Sequence, residues 1–390
     1  MSLLPVADAL ALMLARVRPI EDTEPVLVGE AAGRILARPL VAPHDQPPFP
    51  ASAMDGYAVR ARDLPGKLRL LGEAAAGRAF RRRIGEGECC RIFTGAAVPD
   101  GADAILIQED ATMEGEWIET AERLEAGRYI RPKGLDYAEG STLLHKGTSL
   151  GPAALALAAS AGFTKVDVKR RPRVLLVMTG DELVLPGETR ADGQIYGSNA
   201  TGVGAIVRAH GGEAIDGGIV PDEIEALTAK LSATDADIVV TLGGASVGDH
   251  DLVLPAMQAI GVDMSFMKLA MRPGKPVMFG TRDERLYLGL PGNPVSSLVG
   301  ARILLVPLLR ALLGQPAATP TRTERLAVDL PQNGPREHYM RAEVTPDGVR
   351  PFPNQDSSLL SVLAGADCLL VRAANDPARK VGESAEIVPL

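Results

Sequence analysis

Apolar and polar positions alternate along this chain with three different rhythms. Near the start, Val6, Leu10, Met13 and Val17 recur at three- and four-residue intervals, the stripe of an amphipathic helix. From about residue 51 to 141, short apolar runs such as AILIQED and EWIET are broken by glycine and proline, which predicts a small β-rich module with many turns. PAALALAASA, residues 152–161, reads as a compact helix between Gly151 and Gly162. From 173 to 314 the rhythm becomes strand–helix–strand. RVLLVM at 173–178 is a continuous apolar run of the kind buried on both faces of a parallel sheet. A helix from Ser198 carries Val203, Ile206 and Val207 on one face and stops at Gly211–Gly212. AIDGGIV, a helix opened by PDEIEAL, the strand DIVVTL, a helix near LVLPAMQAIG and the strand RLYLGL follow. Short strands and turns return beyond about residue 318.

Strand alternating with helix predicts a doubly wound α/β domain, in which ligands sit at the carboxyl ends of the strands. The chain as a whole reads as multidomain α/β plus β. A helix over 1–20 packs with the α/β domain, and 21–43 with 142–170 form a linker domain. An inserted β-rich domain covers 44–141, the central α/β domain 171–316 and a small C-terminal β domain 317–390. Length agrees, since 390 residues exceed what one core usually holds.

A net charge of −8 and an aromatic content of 4% argue against nucleic acid, which needs basic surface and stacking platforms. The apolar N-terminus carries Asp8 and lacks a basic leader, so it reads as a helix and not a signal peptide. No apolar run reads as long enough to cross a membrane, and a cytoplasmic protein is expected. Cys89, Cys90 and Cys368 show no metal or disulfide spacing and read as small apolar fillers. Adjacent in a strand, Cys89 and Cys90 would point to opposite faces.

Three loops fall at predicted strand ends. TLGGASVGDHD follows DIVVTL, TGDEL follows RVLLVM, and LPGNPVSS follows RLYLGL. Gly243 and Gly244 suit a loop that brings backbone N–H groups against an anion. Asp249 and Asp251 follow within a few residues, although carboxylates repel phosphate. Asn293 is placed to cap a helix whose first position is Pro294, with Ser296 and Ser297 in its first turn. In MKLAMRPGKP, Lys268 and Arg272 would share a face if the segment were one strand. There is no GxxxxGK[ST], GxGxxG or HExxH pattern, so phosphate-loop, dinucleotide and zinc-protease chemistries find no support.

Seven strings occur in one order: PPFPASAMDGYAV, RIFTGAAVPDGADAILIQED, IRPKGLD, TGDEL, TLGGASVGDHD, MKLAMRPGKP and LPGNPVSS. Together they resemble the MoeA/gephyrin E-domain family of molybdopterin molybdenumtransferases, over nearly the whole chain. The resemblance implies an α/β domain of the molybdopterin-binding type and a Mg²⁺-dependent reaction. Molybdate and adenylylated molybdopterin would give the molybdenum cofactor and AMP. It also implies a homodimer with its active site at the interface, completed by the inserted module of the other subunit, with other cofactor-biosynthesis proteins and apo-molybdoenzymes as possible partners. A pyrophosphate carrying Mg²⁺ presents anionic oxygens and a hard cation together, which reconciles the glycines with the acids of TLGGASVGDHD.

Residue by residue, the resemblance implies that Gly243, Gly244 and Ser246 meet the phosphates while Asp249 and Asp251 approach the metal, and that Glu182 and Asp251 contact it or its waters. Asp222 is more peripheral, and an acid in a helix's first turn has a structural reading of its own. Asp55, Thr94 and Asp136 would complete the site from the inserted module, with Arg131 adding charge; MDGY and KGLD are equally turn sequences. Lys275 and Ser296, with Arg341 and Ser357 or Ser358, would hold molybdate, and Lys268 and Arg272 would extend the basic strip. Relatives often carry lysine where this chain has Arg272, a planar fork in place of a point charge. Two alternatives stay open on sequence alone: the preceding adenylyl transfer, and a non-enzymatic scaffold.

Overall fold

The computed structural model describes residues 3–244 and 252–390. Contacts divide the chain into two compact units, one of residues 1–24 with 169–390 and the other of residues 25–168.

The first unit is built on a six-stranded sheet in the order Glu213–Val220, Arg173–Thr179, Ile238–Leu242, Arg285–Leu290, Met278–Arg282, Asp263–Phe266. The first four strands run parallel, Met278–Arg282 pairs antiparallel with the fourth, and Asp263–Phe266 pairs antiparallel with Met278–Arg282. The apolar runs form strands because both faces are buried. Val174, Leu176, Ile238, Val240, Leu286 and Leu288 face one core, while Leu175, Val177, Val239 and Tyr287 face another.

The N-terminal helix is Val6–Leu14, shorter than its apolar stripe, and it seats Val6, Ala9 and Met13 in the first of these cores. Against that core also lies Pro294–Leu312, whose middle, Ala301–Leu305, is π-helical. This helix corrects the sequence expectation on membranes: it is long and apolar enough to cross one. Within the fold 83% of it is buried, as befits a core helix.

The C-terminal sheet runs in the order Met271–Arg272, Glu337–Thr345, Cys368–Arg372, Ser384–Pro389, Arg322–Arg325, with Gly348–Pro351 pairing on Glu337–Thr345. Met271–Arg272 is thus an edge strand lent by the α/β segment, pairing in parallel with Glu337 and His338. This overturns the single strand expected for MKLAMRP. The preceding strand ends at Phe266, and bends at Met267 and Ala270 put Lys268 and Arg272 on separate segments.

The second unit contains a six-stranded sheet in the order Ala104–Ile107, Gly56–Val59, Glu88–Ile92, Gly66–Ala74, Trp117–Thr120, Thr112–Glu114. Cys89 and Cys90 point to its two opposite cores. Helix Pro152–Ser160 packs beside a third cluster that contains Leu36, Leu150 and Val168.

Candidate active site

The strand order fixes where a ligand would sit. From Arg173–Thr179 the chain crosses first to Glu213–Val220 on one side and then to Ile238–Leu242 on the other, so the crevice opens between the carboxyl ends of Arg173–Thr179 and Ile238–Leu242. Three loops meet there. Gly243 lies so close to Thr179 that a Cβ on it would stand 2.5 Å from the Thr179 carbonyl oxygen and 2.8 Å from its Oγ1. Its φ of 120° is also a value that side-chain-bearing residues rarely adopt. A Cβ on Gly292 would stand 3.4 Å from the Gly243 Cα, and the Gly243 amide donates to the Leu290 carbonyl at 3.1 Å. Asn199, opening helix Asn199–Ala209, donates its Nδ2 to the Gly292 carbonyl at 2.7 Å and to Ser297 Oγ at 3.3 Å. Ser297 Oγ in turn donates to the Pro291 carbonyl.

Around this junction three buried polar atoms have no hydrogen-bond partner among the described residues: Thr179 Oγ1, Thr241 Oγ1 and Asn293 Oδ1. Asn293 occupies the N-cap position predicted for it, yet its side chain makes no capping bond. Unpaired polar groups inside a fold are costly unless a ligand or water completes them. A cleft of about 80 Å³ is lined here by Thr179, Glu182, Asn199, Gly292 and Pro294.

Acids crowd the rim. The Asp222 amide donates to Asp181 Oδ1 at 3.3 Å, which ties the loop after Glu213–Val220 to TGDEL. Asp222 precedes its helix, Ile224–Ser232, whose N-cap residue is Glu223, so the first-turn role expected for it does not apply. Burial, then the charges of Asp181 and Glu182, push its carboxyl above the ordinary value. Glu182 folds back over Gly180, where a Cβ would stand 2.6 Å from its Oε2. Such crowding of carboxylates suits a hard divalent cation, which takes one or two of them and keeps its waters. No group of three metal-ligating side chains is present among the described residues. Ser246, Asp249 and Asp251 lie outside the described residues.

The basic side of the site comes from MRPGKP and the C-terminal domain. A Cβ on Gly274 would stand 3.9 Å from the Ser296 carbonyl oxygen, placing this loop beside the first turn of helix 294–312. Ser296 is buried, whereas Arg272 and Lys275 are exposed. Arg341 is not a free cation. It is 1% exposed and donates Nε to Gln355 Oε1 at 3.1 Å and Nη1 to the Asp356 carbonyl at 2.8 Å. Burial holds its pKa below the ordinary value. Its visible work is to hold the NQDSS loop in place. There Ser358 donates its hydroxyl to Asp356 Oδ1 at 2.7 Å, and Ser357 is half-buried. Lys268, on its own segment, is not joined to Arg272.

In the second unit the structure brings Asp55 and Thr94 together. Asp55 Oδ1 accepts the Thr94 amide at 2.8 Å and its hydroxyl at 2.7 Å. These bonds, then Arg91, hold the Asp55 carboxyl below the ordinary range. Arg91 lies 5.1 Å from the Tyr57 ring centroid and 5.0 Å from that of Phe93, and donates to the Gly56 carbonyl, next to Asp55. The neighbouring strand Ile130–Arg131 pairs with Ala51–Ser52 and leads to the exposed Asp136, whose amide donates to the Gln46 carbonyl at 2.9 Å.

Sequence reading missed Asn199, Asp181, Thr179 and Thr241. The two threonines had a signal, a hydroxyl at the end of otherwise apolar strands.

Comparison with known proteins identifies the family. Residues 4–162 match the model of the MoeA N-terminal region (domains I and II), 175–311 that of a probable molybdopterin binding domain, and 323–390 that of the MoeA C-terminal region (domain IV). A molybdopterin molybdenumtransferase of Haemophilus influenzae is 36% identical over 381 residues, with 94% of each chain covered. Gephyrin of Dictyostelium discoideum is 33% identical over 80% of this chain and 50% of its own. A solved molybdopterin biosynthesis MoeA protein of Pyrococcus horikoshii OT3 superimposes with a TM-score of 0.87 at 28% identity, covering 100% of both chains. The chain therefore belongs to the MoeA/gephyrin family of molybdopterin molybdenumtransferases.

Proposed function

We propose that the protein is the molybdenum insertase of molybdenum cofactor biosynthesis, taking molybdate and adenylylated molybdopterin to the cofactor and AMP in the cytoplasm. The observation that carries this reading is the junction of Thr179, Gly243 and Gly292, where bare backbone and orphaned hydroxyls meet an acidic rim and a basic loop. In this reading the Gly244 amide and Ser246 hold the pyrophosphate oxygens, while Asp249 of the same loop approaches the metal. Glu182 and Asp251 would hold Mg²⁺, with Asp222 at its edge, and the metal would neutralise charge on the phosphates when bound. Arg272, Lys275 and Ser296 hold the molybdate dianion, while Arg341 positions the loop that offers Ser357 and Ser358. These cationic donors stabilise the charge that grows as the P–O bond breaks and AMP leaves. Water or a molybdate oxygen adds to phosphorus as that bond breaks, and the dithiolate sulfurs take molybdenum as oxo ligands leave as water.

The rest of the proposal concerns assembly. The chain would act as a homodimer in which Asp55, Thr94, Arg131 and Asp136 of the inserted module serve the site of the other subunit. Thr94 occupies Asp55 Oδ1 with two hydrogen bonds, which would leave Oδ2 for this role.

The test is AMP release by purified protein from adenylylated molybdopterin. Release that depends on both molybdate and Mg²⁺ supports the insertase. ATP consumption with plain molybdopterin would favour adenylyl transfer instead, and binding without turnover would favour a scaffold.

A further inference from the structure

A groove of about 470 Å³ opens where four pieces of the first unit meet: the last turn of helix Asn199–Ala209, helix Pro294–Leu312, the short helix Leu360–Ala364, and Pro389 with Leu390. It shares no lining residue with the cleft at Thr179. Asn199, at that cleft, begins the helix that Ala209 ends, so the two places stand about 15 Å apart along it. The walls are apolar, with Ile206, Leu298, Leu363 and Leu390 among them. Only His210 and Arg302 bring polar side chains to the lining among the described residues.

Arg302 is the unusual member. It lies in the π-helical stretch Ala301–Leu305, a rare conformation that recurs at functional sites. Its Nε and Nη2 donate to the Pro389 carbonyl at 3.0 and 2.9 Å, which ties the end of the last strand to the helix. Nη1 is buried and has no hydrogen-bond partner among the described residues. Burial and the charge of Arg310 both hold the Arg302 pKa below its ordinary value, and no acid opposes them. Arg310 donates its own Nε to the Pro316 carbonyl at 2.6 Å.

The other groups nearby leave that charge uncompensated. His210 donates Nδ1 to the Ile206 carbonyl at 2.9 Å, and burial, with Arg302 and Arg310, keeps its pKa below the ordinary value, so the ring is neutral at neutral pH. The Leu390 amide donates to the Asp367 carbonyl at 3.1 Å, but the Asp367 carboxylate is turned to the Val344 amide at 2.9 Å. Tying down one carbonyl needs a neutral donor and no charge. A guanidinium whose third nitrogen is buried and bare beside apolar walls is costly unless an anion completes it.

We propose that this groove binds a small organic monocarboxylate, whose head accepts from Arg302 Nη1 and whose aliphatic or aromatic body of about six to ten carbons lies along Ile206, Leu298 and Leu363. One cation fixes one singly charged head. The apolar walls select against strongly hydrated ions such as phosphate, which could not replace their water there. The site is independent of the insertase reading, since it uses none of the residues assigned to that chemistry.

Calorimetry and histidine-ring NMR on the full-length protein test this with octanoate as the probe. Acetate has the same head without the body, and 1-heptanol has a body without the charge. The chain has five histidines, and His210 is assigned by the signal lost in His210→Gln. The expected result is saturable, single-site octanoate binding that shifts the His210 ring signals, with acetate and heptanol each about tenfold weaker or worse. Arg302→Gln keeps a neutral donor for Pro389 and should weaken octanoate about tenfold or more while leaving heptanol unchanged. Ala205→Phe, at an exposed position on the rim, should fill the groove and abolish binding without unfolding the chain, so it carries the test if Arg302→Gln does not fold. Octanoate bound equally well by either folded variant overturns the proposal. So does a native protein that binds no octanoate, Nη1 then being served by water or by the carboxylate of Leu390.

Discussion

Replacing Gly243 by alanine probes the junction on which the proposed chemistry depends. The new Cβ would stand 2.5 Å from the Thr179 carbonyl oxygen, a backbone atom that no rotamer change can move aside. That is about 0.9 Å short of ordinary contact, so the ends of the two central strands must part by about that much. The φ of 120° adds strain for any side-chain-bearing residue. Backbone strain of about 1–2 kcal/mol and overpacking of about 1–2 kcal/mol give a loss of about 2–4 kcal/mol. Gly218→Ala is the control. Its φ is 75° and nothing stands within 4 Å of its Cβ, so it carries the backbone strain without the clash. Urea denaturation should place Gly243→Ala below Gly218→Ala by the overpacking difference. AMP release should fall about 100-fold or more in Gly243→Ala, since a shift near 1 Å misaligns the reacting groups. A Gly243→Ala protein as stable and active as Gly218→Ala would refute the reasoning.

Three further outcomes are expected. Asp222 has a folded pKa raised above its unfolded one, so the native state holds the proton more tightly and stability falls as pH climbs through that window. Asp222→Asn should therefore raise the urea midpoint at neutral pH and lose that advantage below the unfolded pKa; a lower midpoint at neutral pH would contradict the crowding. Cys89 and Cys90 are fully buried, with thiols pushed up to about 12 by burial, so a thiol reagent should label neither in the native protein and both in denaturant. Mixing inactive Asp55→Ala and Glu182→Ala proteins should restore AMP release by forming heterodimers with one intact site; mixtures that stay inactive despite subunit exchange would argue against a site shared between subunits.

Much of the fold was legible because local patterns and burial agree. RVLLVM and DIVVTL have no polar position until their ends, and they became central strands buried on both faces. Three strand-end loops could be placed on one edge for the same reason, since parallel strands deliver their carboxyl ends together. What was missed is non-local. MKLAMRP reads as one strand, but its Met271 and Arg272 leave to pair with Glu337 and His338, 66 positions away. That single pairing moved Arg272 away from Lys268. Asn293 kept its predicted position and not its predicted bond, because its carbonyl oxygen is turned into the buried junction. The resemblance placed Arg341 near molybdate; that it is also buried and bonded to Gln355 and Asp356 is set by tertiary packing, which no local pattern carries.

The most direct measurement is the stoichiometry of the reaction itself. Purified protein is given adenylylated molybdopterin, Mg²⁺ and limiting molybdate, and both AMP and dithiolene-bound molybdenum are counted in one sample. The account predicts that the two appear in equal amounts and stop together when molybdate is exhausted, with Gly243→Ala suppressing both. AMP released without molybdenum incorporation, or incorporation that leaves the adenylyl group in place, would contradict it.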